Sequence, residues 1–250
     1  MSIAIVTGGS RGLGRSMVEQ LGAKGHDAIL TYNSKKAEAD EVVAGLAKQG
    51  RKGLALQLDV SKQDTFAAFA QAVKKGLKDV WGRQDFDTLV NNAGIGIYKP
   101  FMQTAPEDFD LLMNIHLKGP YFLTQQLLPL MKDGGRIINV SSGLTRFSYA
   151  GYSAYATMKG GVEVLSRYLA VELGPRGIGV VTVAPGAIET DFGGGVVRDN
   201  KEVNKTIAGQ TPLGRVGLPE DIGKVVAALA SDDLYWVNGQ RIEASGGIHS

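Results

Sequence analysis

A tyrosine and a lysine stand four residues apart in the stretch Tyr155-Ala-Thr-Met-Lys159. On a helix this spacing puts both side chains on one face. A tyrosine can donate a proton to a carbonyl oxygen or accept one from an alcohol, but its ordinary pKa of about 10 is too high for work at neutral pH. A nearby ammonium favours the phenolate and lowers that pKa. We therefore expect Tyr155 to act as a general acid or base with Lys159 as its electrostatic partner.

A serine follows an apolar run upstream of this pair. Ser142 comes after Arg136–Val140 and thirteen residues before Tyr155. Its hydroxyl can bond a substrate oxygen without attacking it, and the chain has no G-x-S-x-G elbow of the kind that serine hydrolases use. Ser141 is the neighbouring candidate, to which we assign a structural role. Tyr152 has alanine four residues further on, so it lacks a lysine partner and is interpreted as a pocket residue.

The first turn of the chain is rich in glycine. After the strand candidate Ile3–Val6 comes Thr-Gly-Gly-Ser-Arg-Gly-Leu-Gly, residues 7–14, and then a helical pattern. Glycine lets a diphosphate approach the backbone, and the free N–H groups and dipole of a helix N-terminus favour its negative charge. In an open sheet this turn lies where dinucleotides bind. An ordinary turn between strand and helix is the alternative interpretation.

Apolar runs of strand length alternate with segments of helical period, a pattern typical of a parallel sheet with crossover helices. The strand candidates are Ile3–Val6, Asp27–Thr31, Gly53–Leu58, Thr88–Val90, Arg136–Val140, Gly179–Val183 and Gln240–Glu243. The helix candidates are Leu13–Lys24, Lys36–Gln49, Lys62–Val80, Pro106–Lys132, Tyr155–Leu173 and Pro219–Ser231. We predict one α/β domain over residues 1–250. The irregular tract at residues 191–217, with glycine at 193, 194 and 195, is predicted to be a mobile loop or short helical lid.

Composition excludes several functions. The 250 residues carry 27 Lys+Arg and 25 Asp+Glu, a formal net charge of +2 without a basic run, so nucleic acid is not an expected partner. There is no cysteine, which excludes disulfides and thiolate chemistry. His26, His116 and His249 do not have metal-ligand spacing, and we expect no metal. We found no leader and no long apolar run, and therefore expect a cytoplasmic protein without a membrane segment.

Several motifs occur together in a fixed order. They are T-G-x-x-x-G-x-G at Thr7–Gly14, N-N-A-G at Asn91–Gly94, Ser142, Y-x-x-x-K at Tyr155–Lys159, and P-G-x-x-x-T at Pro185–Thr190. In this order, from Ile3 to Gly247, the chain resembles the short-chain dehydrogenase/reductase family. The resemblance implies a Rossmann fold, a doubly wound seven-stranded parallel sheet in the order 3-2-1-4-5-6-7 with helices on both faces. It also implies hydride transfer between a nicotinamide dinucleotide and a carbonyl or alcohol.

The resemblance assigns residues to roles. The expected catalytic residues are Asn114, Ser142, Tyr155 and Lys159, with Asn114 binding a water that links the lysine to solvent. His116 is interpreted as structural. The expected cofactor contacts are Gly8, Ser10, Arg11, Gly12, Leu13, Gly14, Tyr32, Asn33, Ser34, Asp59, Val60, Asn91, Ala93, Gly94, Tyr155, Lys159, Pro185, Gly186, Ile188 and Thr190.

The expected cofactor is NADP(H) rather than NAD(H). No carboxylate stands at the end of the second strand candidate, where NAD sites bond the ribose. Arg11 occupies a position that is basic in NADP-dependent members of the family, and a guanidinium suits a phosphate. The alternative is that Arg11 and Lys35 are solvated surface charges.

The substrate is expected to be a small ketone or aldehyde that is reduced to an alcohol. The predicted pocket is mostly apolar and aromatic, and its residues are Gly143, Leu144, Phe147, Tyr149, Tyr152 and Phe192. The chain is also similar to 3-oxoacyl-[acyl-carrier-protein] reductases. Arg176 matches one basic position of such enzymes, whereas Asp133 replaces another and would repel an acidic carrier.

Two further functions stay open: an NADP-dependent sugar, polyol or steroid alcohol dehydrogenase, and a non-catalytic NADP-binding sensor. The intact proton-relay residues argue against the sensor. The family resemblance also implies a homotetramer, or a homodimer, formed through helices in residues 106–132 and 155–173 and the last strand.

Overall fold

The fold is built around a single parallel sheet, seen in a computed structural model that describes residues 2–250. The seven strands follow the order β3-β2-β1-β4-β5-β6-β7, and every neighbouring pair is parallel. They are β1 Ser2–Val6, β2 His26–Tyr32, β3 Gly53–Gln57, β4 Phe86–Asn91, β5 Met131–Val140, β6 Gly179–Pro185 and β7 Arg241–Ala244. The predicted fold class and strand order are confirmed.

Nine α-helices, together with short 3₁₀ and π turns, connect these strands in residues 2–250. The helices are α1 Gly12–Ala23, α2 Lys36–Lys48, α3 Phe66–Gly76, α4 Pro106–Met113, α5 Gly119–Leu127, α6 Ser153–Glu172, α7 Val196–Asp199, α8 Lys201–Gly209 and α9 Pro219–Leu229. None of these helices is both long enough and apolar enough to span a lipid bilayer.

The central strands are buried on both faces, as a doubly wound sheet requires. Alternate side chains of one strand enter opposite cores, because successive residues of a strand point to opposite faces. In β1, Ile3 and Ile5 belong to the cluster with Phe66 and Phe86. Ala4 and Val6 belong to a second cluster on the other face, where Met17 of α1 packs. The two cores hold the sheet rigid beneath the loops at its carboxyl edge.

The predicted helix Pro106–Lys132 is not continuous. It consists of α4, a π turn at Asn114–Lys118, α5, and a 3₁₀ turn at Leu128–Leu130. The strand that we predicted from Arg136 already begins at Met131. A register irregularity between Phe86 and Thr88 of β4 accommodates this longer strand. Pro129 provides a reason for the early end of the helix, because proline lacks the N–H that a further helical turn needs.

The predicted lid, residues 191–217, contains more helix than we expected. It holds a 3₁₀ turn at Phe192–Gly195 followed by α7 and α8. Gly193, Gly194 and Gly195 all have positive φ, at 61°, 79° and 77°. Such backbone angles favour glycine, so the triplet marks the point where the chain turns into the short helices.

The order of the sheet reverses at β1. This strand pairs with β2 on one side and with β4 on the other, so the connections that leave β1 and β4 diverge to opposite faces. In open α/β sheets the crevice at this point, beyond the carboxyl ends of the strands, is the usual ligand site.

Candidate active site

A cavity of about 600 Å³ lies at that crevice. Its walls come from the turns that follow β1, β2, β3, β4, β5 and β6, from α6 and from the lid. Twenty-eight different residues were predicted for the cofactor, catalytic and pocket roles, and all but Asn91 and Asn114 line this one cavity. The topology therefore brings together residues that lie as far apart in the chain as Gly8 and Phe192.

The glycine-rich turn at residues 7–14 lines one end of the cavity. Gly8 has φ 66°, and a Cβ on Gly14 would lie 2.1 Å from the Gly8 carbonyl oxygen, so no other residue fits at position 14. Helix α1 begins at Gly12, and its N-cap residue Arg11 makes no side-chain capping bond. Free N–H groups at the start of a helix attract anions. The turn is thus shaped for the diphosphate of a dinucleotide.

Polar groups without a carboxylate follow β2. Tyr32, Asn33, Ser34 and Lys35 line the cavity. Asp27 lies at the opposite end of β2, where it is buried and accepts hydrogen bonds from the Trp81 indole at 2.7 Å and the Lys52 amide at 3.0 Å. These residues fit a 2′-phosphate better than a free ribose 2′-hydroxyl, which an acidic residue would bind.

Arg11 reaches the same end of the cavity from the first turn. Its side chain is 61% exposed, and its Nη1 lies 3.7 Å from Asp191. An exposed pair at this distance is weak, so the guanidinium can turn to a phosphate at little cost. Arg11 is therefore available to a cofactor phosphate.

The proton-transfer residues lie at the other end. Tyr155 and Lys159 are 6% and 5% exposed on α6, and the ammonium is 5.7 Å from the centre of the phenol ring. Lys159 Nζ donates to the Val140 carbonyl at 2.7 Å. Ser142, two residues after Val140, caps a 3₁₀ turn, and its Oγ accepts from the Leu144 amide at 3.2 Å. The three side chains expected to move and hold a proton therefore meet at one point.

Burial sets the protonation of this group. It lowers the pKa of Lys159 to about 7, because the buried ammonium loses its hydration. It also raises the pKa of Tyr155, and the hydrogen bond with Ser142 offsets only part of the rise. We expected Lys159 to lower the pKa of the tyrosine, and in this structure burial outweighs any such effect. Tyr155 is therefore a phenol at neutral pH, which is the form that donates a proton.

Asn114 does not reach the cavity. It lies at the start of the π turn, and its carbonyl accepts from Gln63 Nε2 at 3.2 Å. His116, two residues later, lines the cavity instead. The structure thus places His116, which we interpreted as structural, where we expected the asparagine.

His116 is held firmly. It is 1% exposed, and its Nε2 lies 2.8 Å from the Ile95 carbonyl. The Ile95 amide also donates to this nitrogen, at 3.3 Å, so the two contacts with Ile95 require opposite proton positions on Nε2. Within residues 2–250, Nδ1 has no hydrogen-bond partner. Burial, followed by the charge of Lys159, holds the pKa of His116 well below its usual value, against the hydrogen bond to Ile95.

Asn91 also lies outside the cavity. Its amide donates to Thr124 Oγ1 at 3.0 Å and to Asn139 Oδ1 at 2.8 Å, so it joins β4 to α5 and β5. The next residue, Asn92, does line the cavity and donates to the Thr7 carbonyl at 2.9 Å. The N-N-A-G motif therefore serves both the sheet, through its first asparagine, and the cofactor turn, through its second.

Aromatic rings surround the space next to Tyr155. Phe192 of the lid meets the Tyr155 ring at 5.6 Å, and Tyr152 meets it at 6.5 Å, both edge to face. Phe147 and Tyr149 form another such pair at 5.6 Å. Val197 and Ile207 of the predicted lid also line the cavity, whereas apolar wall residues such as Ile95, Ile115 and Ile248 were not predicted, because only the folded chain brings them here. The pocket suits a flat apolar molecule.

A protein-family model described as "Enoyl-(Acyl carrier protein) reductase" matches residues 8–249. A tetrahydroxynaphthalene reductase, PfmaG, of Pestalotiopsis fici is 37% identical over 98% of this chain and 90% of its own. An uncharacterized oxidoreductase of Methylorubrum extorquens is 36% identical over 98% of this chain and 97% of its own.

Two solved structures share the fold closely. One is the angucycline C-6 ketoreductase LanV with bound NADP, with a TM-score of 0.94 and 36% identity over 99% of this chain and 95% of that one. The other is LugOII, described as a promiscuous reductase for keto-reduction at C1 in lugdunomycin biosynthesis, with a TM-score of 0.94 and 35% identity over 99% of this chain and 97% of that one.

Proposed function

The chain belongs to the short-chain dehydrogenase/reductase family, and from this premise we propose that it reduces an aromatic or polycyclic ketone to a secondary alcohol with NADPH. One observation carries the proposal: Ser142, Tyr155 and Lys159 meet in a single cavity with the glycine-rich turn. The domain is taken as residues 1–250, with the lid over residues 191–217.

The residues of the cavity fit NADPH. The Gly8–Gly14 turn admits the diphosphate, and no carboxylate follows β2 to repel a 2′-phosphate. Asp59 and Val60, expected on the adenine side, line the cavity, as do Pro185, Gly186, Ile188 and Thr190, expected on the nicotinamide side. Bound there, NADPH supplies the hydride that the carbonyl carbon receives.

The chain's own residues supply the rest of the chemistry. Ser142 donates a hydrogen bond to the substrate carbonyl oxygen and fixes its position. Tyr155 gives its phenolic proton to that oxygen as hydride addition converts the carbonyl group into an alkoxide. The product therefore leaves as an alcohol. The ammonium of Lys159 stabilises the phenolate that remains, until solvent returns a proton. Burial of the pair keeps water from competing for the substrate oxygen.

The substrate class follows from the pocket and from the similar enzymes. The rings of Phe147, Tyr149, Tyr152 and Phe192 offer flat apolar surface, and stacked or edge-on ring contacts favour an aromatic guest. The relatives named above are described as reductases of tetrahydroxynaphthalene and of an angucycline.

A carrier-protein substrate is less well supported. Arg176 Nε donates to Asp133 at 2.7 Å, and its other nitrogens donate to the carbonyls of Leu128 and Met131. The basic group expected to meet an acidic carrier is thus engaged within the chain.

The test is NADPH consumption with fused-ring aromatic ketones, simple ketones and an acetoacetyl thioester, each also assayed with NADH. We expect turnover of the aromatic ketones with NADPH, and a fall of at least about a hundredfold in the Tyr155→Phe variant. Undiminished activity of that variant would contradict the mechanism. Turnover of the thioester alone would contradict the proposed aromatic substrate and favour an acyl thioester.

We also propose a homotetramer in the cytoplasm. Support for the assembly comes from exposed apolar side chains on α5 and α6, among them Tyr121, Phe122, Tyr168 and Val171, the last 78% exposed. Clustered apolar surface of this kind is typical of subunit contacts. Light scattering after gel filtration gives the mass, and a monomer would contradict the assembly.

A further inference from the structure

A carboxylate outside the cavity is tied to the turn that carries Ser142. Glu163 lies on α6, and its side chain is 14% exposed. Its Oε1 accepts from Ser141 Oγ at 2.7 Å and from Arg241 Nε at 2.8 Å. The Thr145 hydroxyl lies 2.7 Å from the same oxygen. One carboxylate oxygen of α6 therefore binds groups from the turn after β5 and from β7.

The partner of this carboxylate, Arg241, contacts the serine itself. Its Nη2 donates to the Ser142 carbonyl at 3.2 Å and lies 3.2 Å from Thr145 Oγ1. Its Nη1 donates to Glu243 Oε2 at 2.7 Å. A guanidinium is planar and its N–H groups point in fixed directions, so these contacts define where the Ser142 backbone lies.

The ion pair between Glu163 and Arg241 is partly buried. The Arg241 side chain is 23% exposed and the Glu163 side chain 14%, so solvent screens their attraction less than it does at an open surface. Loss of Arg241 leaves the partly buried carboxylate of Glu163 without this counterion, whereas loss of Glu163 leaves Arg241 paired with Glu243 alone. Neither residue lines the cavity, so any effect on chemistry passes through the turn that they hold.

We propose that Glu163 and Arg241 are positioning residues, whose ion pair holds the Ser141–Thr145 turn so that the Ser142 hydroxyl faces the substrate oxygen. The ion pair grips the turn on both sides of the reacting hydroxyl, at the Ser141 side chain and at the Ser142 carbonyl. This inference rests on the proposed function, because it assigns the hydroxyl the task of binding a ketone.

The test combines substitutions in a cycle. Glu163→Gln keeps the shape and removes the charge, and we expect kcat to fall about tenfold while the KM for NADPH stays unchanged. In a Ser142→Ala background the same substitution should have almost no further effect, because the positioned hydroxyl is already gone. Arg241→Lys, which keeps the charge but not the planar fork, should lie between Arg241→Met and the wild type. Lys75→Gln breaks an exposed ion pair with Asp79, neither of which lines the cavity, and serves as the control.

A measurement without substrate separates this inference from the proposed function. Amide hydrogen exchange in the peptide that spans residues 141–147 should rise in Glu163→Gln and stay at the wild-type level in Lys75→Gln. Full additivity with Ser142→Ala, or unchanged exchange in that peptide, would overturn the inference. If the wild type reduces no ketone while exchange rises as expected, the positioning stands and the proposed function fails. Thermal unfolding of each variant identifies a general loss of fold. If Glu163→Gln or Arg241→Met does not fold, Arg241→Lys provides the milder substitution.

Discussion

The imidazole of His116 packs edge-on against the phenol of Tyr155, with ring centres 5.1 Å apart and planes at 86°. Behind it, Gly94 leaves just enough room, since a Cβ there would lie 2.7 Å from His116 Cε1. Tyr155, the proposed proton donor, is thus packed on one side against a buried, neutral histidine. This contact gives His116, and not Asn114, direct influence on the reacting group.

Replacing His116 and Asn114 separately by alanine tests that influence. His116→Ala removes the wall beside Tyr155, and we expect kcat to fall about tenfold, since catalysis needs the donor in a fixed orientation. Asn114→Ala should change kcat by less than about twofold, because its side chain does not line the cavity. Steady-state kinetics with NADPH gives both values. The reverse order would restore Asn114 to the role that the family resemblance implies.

Burial of Lys159 predicts a pH dependence of stability. Its pKa is lowered from 10.5 to about 7, so between these values the unfolded chain binds a proton that the folded chain does not. The free energy of unfolding should therefore rise with pH above 7, by up to about 1.4 kcal/mol per pH unit for this group. Lys159→Met should flatten the rise and abolish activity.

Denaturant titrations at pH 7, 8 and 9 measure this slope, below the range in which Tyr155 releases its own proton. Lys75→Met, at a side chain that is 78% exposed, is the matched control and should keep the wild-type slope. An equal slope in Lys159→Met would show that the ammonium is not desolvated in the fold.

Arg11 should set the choice between the two nicotinamide cofactors. Arg11→Ala removes a cation near the expected 2′-phosphate, and kcat/KM for NADPH should fall about tenfold or more while the value for NADH stays nearly constant. Asp191→Asn releases Arg11 from its 3.7 Å ion pair and should not weaken the binding of NADPH. Equal losses with both cofactors would make Arg11 a structural residue.

Two glycines in helices should respond in opposite ways to alanine. Gly14→Ala places a Cβ 2.1 Å from the Gly8 carbonyl, so α1 must shift and cofactor binding should be lost. Gly45, in the last turn of α2, has nothing within 4 Å, and Gly45→Ala should stabilise the protein by about 0.5–1 kcal/mol. Thermal unfolding and fluorescence titration with NADPH distinguish the two. A Gly14→Ala variant that binds normally would contradict the proposed approach of the diphosphate.

Local patterns explain what could be predicted from the sequence. The spacing of Tyr155 and Lys159 lies within one helix, and the glycines of the first turn lie within eight residues, so neither depends on distant packing. The strand order followed from the family resemblance, and it is confirmed.

Other features depend on geometry that one-dimensional patterns do not contain. Residues two apart on a helix point to roughly opposite sides, so either Asn114 or His116 faces the cavity but not both. The π turn at Asn114–Lys118 changes the helical phase at this point. Glu163 and Arg241, 78 residues apart, meet only because β7 pairs with β6 in one particular register.

The place of β7 in this arrangement has a consequence for synthesis on the ribosome. The turn expected to bind the cofactor diphosphate, residues 8–14, is made more than 220 residues before Arg241. Chains grow from the N-terminus, and early segments can begin to fold before later ones emerge. The glycine-rich turn expected to bind the cofactor is therefore made well before the strand that we propose holds the Ser142 turn.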